Sequence, residues 1–105
     1  MKSTGTISEK ESFERNAYIY RVLSNPKRLE IINFLHKKRE ATVMEISKAS
    51  GIRMTTVSQH LRILRMGRLL KLRREGQNSY YSLRTPRIAE LRDILMAIWP
   101  ELQKA

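Results

Sequence analysis

The chain has 105 residues, no cysteine, and 21 Lys+Arg against 10 Asp+Glu, which gives a net charge of +11. This length implies one domain with a modest core, and the lack of thiols excludes disulfides, thiolate metal sites, redox sensing and cysteine nucleophiles. A cation excess of this size favours a polyanionic partner over a neutral or acidic one.

The opening stretch "MKSTGTISEKESF" has no apolar segment of the kind a secretory signal needs. No apolar run approaches the ~20 residues that span a bilayer. A cytoplasmic protein with no membrane partner is expected. A first helix is predicted from about Ser8 to Leu23, with Phe13, Ala17, Tyr20 and Leu23 on one stripe. "SNPKR" ends it. Asn25 suits an N-cap and Pro26 the first helical position, so a second helix runs from about Pro26 to Lys38, with Leu29, Ile32 and Leu35 inward.

"ATVMEISKASG" reads as a short third helix, because Thr42 and Glu45 have capping-box spacing and Gly51 can take the left-handed conformation that stops it. After the tight turn "GIR", a fourth helix runs from about Met54 to Met66, and Gly67 is expected to end it as Gly51 ends the third. "RLLKLRR" and "SYYSLR" alternate as strands of a β-hairpin, with Gly76 and Asn78 in the turn. A last helix is predicted from about Pro86 to Trp99, closed by Pro100, with Ile88, Leu91, Leu95 and Ile98 on one face.

The order is helix, helix, short helix, turn, helix, basic hairpin, helix. This is the order of a winged helix-turn-helix: a single domain over residues 1–105, mainly α with a small β-hairpin. The helix-turn-helix covers about 42–66 and the wing about 69–84. At about 100° per residue, Leu61 and Leu64 fall within about 40° of Val57 and anchor the fourth helix. Thr55, Gln59 and Arg62 fall on the opposite side, with Thr56 and Ser58 flanking. Small hydroxyls at a helix start allow close approach to a groove and can bind phosphate. Gln can pair with adenine and Arg with guanine through two hydrogen bonds at a base edge. The charge distribution agrees: no acidic residue lies between Glu45 and Glu75, while Lys48, Arg53, Arg62, Arg65, Arg68, Lys71, Arg73 and Arg74 do. At the wing, Arg73, Arg74 and Gln77 are the residues placed to reach phosphates or a minor groove.

The segment from about Val22 to Leu83 resembles the ArsR/SmtB family of winged-helix transcriptional regulators. "LSNPKRLEIINFL" is similar to that family's second helix, "TTVSQHLRILRMGRL" to its recognition helix, and "REGQNSYYSL" to its wing. The resemblance implies a homodimeric repressor on a pseudo-palindromic double-stranded DNA operator. Its DNA-reading positions carry over to Thr55, Thr56, Ser58, Gln59 and Arg62. Arg53 replaces the usual small N-cap; it cannot cap but could bind phosphate. The first and last helices, about 8–23 and 86–99, are expected to form the dimer interface through Phe13, Tyr20, Leu91, Leu95, Ile98 and Trp99.

The family's common metal sites are not matched. The third helix has no thiol, and the last helix holds Glu90 and Asp93 but no histidine. His60, about 60° from the core direction of the fourth helix, reads as a packing or capping residue. His36 reads as a partner of the second helix's dipole. No metal, cofactor or catalytic residue is expected, and the chain is not read as an enzyme: there is no paired His and acid at useful spacing and no glycine-rich phosphate loop. Control by a small-molecule effector in a dimer cavity, by a partner protein, or not at all stay open. The competing reading is a nonspecific DNA- or RNA-binding architectural protein, although RNA readers usually expose stacking aromatics and the fourth helix has none.

Overall fold

The computed structural model describes residues 8–104. Its elements are α1 (Glu9–Leu23), α2 (Pro26–Lys38), β1 (Glu40–Ala41), α3 (Val43–Ser50), α4 (Met54–Met66), β2 (Leu70–Glu75), β3 (Asn78–Leu83) and α5 (Ile88–Leu102). The winged helix-turn-helix, mainly helical with a small antiparallel hairpin, is the observed architecture.

Local chemistry sets most boundaries. Ser8 and Glu11 form a reciprocal box: the Glu11 amide donates to Ser8 Oγ at 3.1 Å and the Ser8 amide to Glu11 Oε1 at 3.0 Å. Asn25 Oδ1 accepts from the amides of Lys27 and Arg28, with Pro26 in the first helical position. Thr42 and Glu45 cap α3 as their spacing predicts. Gly51 ends α3 at φ +76°, where a side chain would be strained.

Four boundaries differ from expectation. Gly67 lies at φ −79°, and the left-handed residue is Arg68 at φ +63°. The turn closes by Leu69 N–H donating to the Leu64 carbonyl at 3.0 Å, one residue later than the glycine suggests. At Gly67 a Cβ would stand 3.4 Å from a Val22 methyl, ordinary van der Waals contact, so neither its backbone nor its neighbours require a glycine there. In the hairpin, Glu75 pairs with Asn78, so the loop is Gly76–Gln77 and Asn78 belongs to β3. Gly76 takes φ +61° at the first loop position, which type II′ turns reserve for glycine. The last helix starts at Ile88, after turn bonds from the amides of Ile88, Ala89 and Glu90 to carbonyls three residues back. It runs through Pro100 to Leu102. One turn from the end, the proline forfeits one hydrogen bond, and the chain finishes on bonds from Gln103 to Pro100 and Lys104 to Glu101.

The sheet has a third strand that the sequence reading lacks. The order is β1-β3-β2, all antiparallel, with Ala41 opposite Tyr81 and Leu72 also opposite Tyr81. Two residues are too few to display a period of two, so β1 is invisible to pattern.

The core joins the α2 stripe (Ile31, Ile32, Leu35) to Ile46, Ile52, Val57, Leu61, Leu64, Leu69 and Leu70. The outer helices contribute little to it: Val22 and Leu23 from α1, Ile88 and Ala89 from α5. Most of their apolar surface is open, with Phe13 63% and Trp99 62% exposed. The radius of gyration is 15.7 Å, against ~13 Å for a compact domain of this length. The excess comes with two helices that extend beyond the core they help to close.

Candidate nucleic-acid interface

Six residues after Gly51 lies Val57, the first fully buried residue of α4. Val57, Leu61 and Leu64 are 0% exposed. Thr55, Ser58, Gln59 and Arg62 are exposed, and Thr56 is half-buried. The helix is thus clamped by one face and leaves its opposite face to solvent, as its spacing predicts. Arg53 makes no side-chain cap to α4. The helix N-terminus therefore keeps amides that point outward and carries no acidic residue in its first turn, which leaves its partial positive charge available to an anion.

The helix-turn-helix is braced by side chains in the turn. Ser47 Oγ donates to the Ile52 carbonyl at 2.5 Å, and Ser50 Oγ accepts from the Ile52 amide at 3.2 Å. These bonds hold "GIR" in place between α3 and α4. His60, half-buried, accepts a hydrogen bond at Nδ1 from Arg28 Nε at 3.2 Å. Burial lowers its pKa below the ordinary imidazole value, and the charges of Arg28 and Lys27 add to this. The packing role expected for His60 is therefore a hydrogen-bonded one.

The wing residues divide. Arg73 is held by carboxylates: Nη2 lies 2.7 Å from Glu40 Oε1 and Nη1 binds Glu75 Oε1, while the guanidinium sits 4.6 Å from the centre of the Tyr80 ring. Its hydrogen bonds to Glu40 and Glu75 raise its pKa further, and the same contact lowers that of Glu40. Arg73 thus ties β2 across β3 to β1. Arg74 donates to Ser79 Oγ at 3.2 Å on the neighbouring strand, and Gln77 is exposed at the hairpin tip.

Between α4 and the sheet runs a groove of about 490 Å³ lined by Ser58, Arg62, Arg65, Met66 and Tyr81. It brings Ser58 and Arg62 of the predicted set together with Arg65 and Tyr81, which sequence reasoning did not select. Spacing could have found Arg65, because 58, 62 and 65 are one flank of a helix; Tyr81 arrives through the strand register. Thr55 and Gln59 are exposed beside this groove without lining it.

The residues expected at a dimer interface fall into two groups. Phe13, Tyr20, Leu95, Ile98 and Trp99 are exposed. Leu91 is half-buried and packs against the chain's own core. Tyr20, Leu23, Leu29, Leu91, Ile94 and Leu95 line a cavity of about 610 Å³ between α1, α2 and α5. Trp99 and Met96 instead line a shallower groove beside Leu29. Among the described residues, no cluster of His, Asp and Glu has the grouping that holds a metal ion, and no helix is long and apolar enough to cross a membrane.

Compared with known proteins, residues 25–71 match the family described as "Bacterial regulatory protein, arsR family". The chain is 34% identical over 87 residues to the transcriptional repressor PagR of Bacillus anthracis, covering 83% of this chain and 87% of that one. It superposes on the homodimeric winged helix-turn-helix DNA-binding domain Mb0332 of Mycobacterium bovis with a TM-score of 0.79 and 28% identity, over 99% of this chain and 94% of that one. NolR from Sinorhizobium fredii gives a TM-score of 0.78 and 30% identity, over 94% and 97% of the two chains. The segment matched by the family holds the two-serine brace and the buried face of α4, and its relatives are regulators rather than enzymes. The chain is a DNA-binding transcriptional regulator with a winged helix-turn-helix, and it belongs to the arsR family of bacterial regulatory proteins.

Proposed function

We propose that the chain acts in the cytoplasm as a homodimeric repressor on a pseudo-palindromic operator, with control that does not depend on a metal or a thiol. One observation carries the reading: Thr55, Ser58, Gln59 and Arg62 are solvent-facing on a helix whose other face is wholly buried. Gln59 and Arg62 contact base edges in the major groove. Thr55, Thr56, Ser58, Arg53 and the α4 N-terminus hold phosphates. Arg74 and Gln77 extend the contact from the wing, while Arg73 braces it. The repressor role of PagR and the dimeric state of Mb0332 support the same assignment.

The dimer is built from the exposed faces of α1 and α5. On α5 the apolar residues Ile94, Leu95, Met96, Ile98, Trp99 and Leu102 are all exposed. They occupy an arc wider than the single stripe that packing on one core requires. A second copy covers the outer part of that arc. Two α4 helices then meet successive major-groove faces ~34 Å apart. The cavity beneath Tyr20 and Ile94 lies at this same interface, which is where a small apolar effector would act on the spacing of the two helices.

The test is selection of bound duplexes from a random pool, followed by footprinting. A single enriched palindrome, with affinity that falls steeply as salt rises, is the expected result. Equal affinity for every duplex would instead favour a nonspecific architectural role, which the +11 charge alone would support.

A further inference from the structure

Arg28 stands at a corner where three helices meet. It lies in the first turn of α2, where Asn25 Oδ1 accepts from its amide at 3.2 Å, so its backbone is fixed by the cap. Its guanidinium donates in two directions. Nη1 reaches the Val22 carbonyl in the last turn of α1 at 2.9 Å, and Nε reaches His60 Nδ1 in α4 at 3.2 Å. Val22 is itself buried and its side chain lies against Gly67, the residue that follows α4, so the end of α1 meets the end of α4 directly and its middle through Arg28.

A guanidinium is planar, and its donors keep fixed directions. Two bonds made at once therefore fix the end of α1 relative to α4. His60 directly follows Gln59 and stands one turn after Thr56, so a shift at its ring displaces the DNA-facing residues. Acceptance at Nδ1 requires a neutral ring with its proton on Nε2. The charges acting on that ring are those of Arg28 and Lys27 on α2; α1 brings the uncharged Val22 carbonyl to the corner.

We propose that Arg28 is a positioning residue that transmits the placement of the dimer-forming α1 to the DNA-reading α4 through a neutral His60. The inference rests on the dimeric DNA-binding reading above. It assigns a residue outside the DNA surface to sequence discrimination rather than to charge attraction.

The experiment uses the full chain, the duplex it selects, and a scrambled duplex of equal length. Arg28→Lys keeps the charge and removes the fork. The ratio of specific to scrambled affinity should fall about five- to tenfold, while scrambled affinity and the dimer fraction stay at wild-type values. His60→Asn offers an amide oxygen where Nδ1 accepts and should keep the ratio; His60→Leu should lose it as Arg28→Lys does. In the wild type the ratio should also fall as pH drops below 6.5, because desolvation and the nearby cations hold the imidazole pKa under that ordinary value. A protonated ring can no longer accept from Arg28. His60→Asn should show no such fall. A wild-type ratio in Arg28→Lys, or a wild-type pH profile in His60→Asn, overturns the inference. If Arg28→Lys lowers the dimer fraction, the His60 pair decides alone. A wild-type chain that enriches no duplex overturns the functional reading and this inference with it.

Discussion

Gln59 and Arg62 stand three residues apart, less than one turn, on the solvent side of α4, and each has the hydrogen-bonding pattern to read one base. Replacing either with Ala should cost about 1–3 kcal/mol on the selected duplex and relax the preference at one position; competition with single-base variants of that duplex measures both effects. Arg68 makes a different kind of contribution. It holds φ +63° without being a glycine, and a side chain in that region costs about 1 kcal/mol or more. Arg68→Gly should therefore raise the urea midpoint by an amount equivalent to about 1 kcal/mol. A midpoint at or below wild type would show that the side chain offsets its own backbone strain. At this scale the sequence carried the side on which each α4 residue lies, since angle follows from spacing. It did not carry the fate of Arg73. Its two carboxylate partners lie on other strands or beyond the next residue, and a one-dimensional charge count reads them only as a basic stretch.

Caps and turns explain why the elements were legible. Asn25, Thr42 with Glu45, and Gly51 act within a few residues of themselves, so their effect is written in local sequence. Asn25→Ala should lower stability by about 1 kcal/mol through the two amides it leaves uncapped, read as a shift in chemical denaturation with unchanged slope. The misread boundaries share a cause. Gly67 reads as a left-handed stop because glycine tolerates that conformation, yet the chain places it at φ −79° and turns left-handed one residue later, at Arg68. A proline lacks a donor and so reads as a stop, yet at Pro100, one turn from the end of α5, little remains to lose. β1 exists only because β3 is already there to pair with it, and no local pattern announces a strand made by its neighbour.

Taken whole, the monomer measures 45 × 42 × 20 Å and leaves most of α1 and α5 outside its core. Trp99→Glu should convert the dimer to a monomer without unfolding it, because Trp99 is exposed in the single chain. Sedimentation would show the change in mass, and affinity for the full palindrome should fall about a hundredfold as two linked half-site contacts become independent. An unchanged mass would place the interface elsewhere. The wing, finally, is stitched to the stretch between α2 and α3 by β1, by Glu40 opposite Ser82, and by the Arg73–Glu40 ion pair. It cannot swing as a free hairpin would. In amide exchange, the base of the wing should open together with the helices while the Gly76–Gln77 tip exchanges early. On the proposed DNA-binding reading, the wing at the flank and α4 in the groove would act as the two jaws of a caliper with a locked screw: distortion needed to bring a duplex into register would fall on the nucleic acid, and sequences that bend easily would gain the advantage.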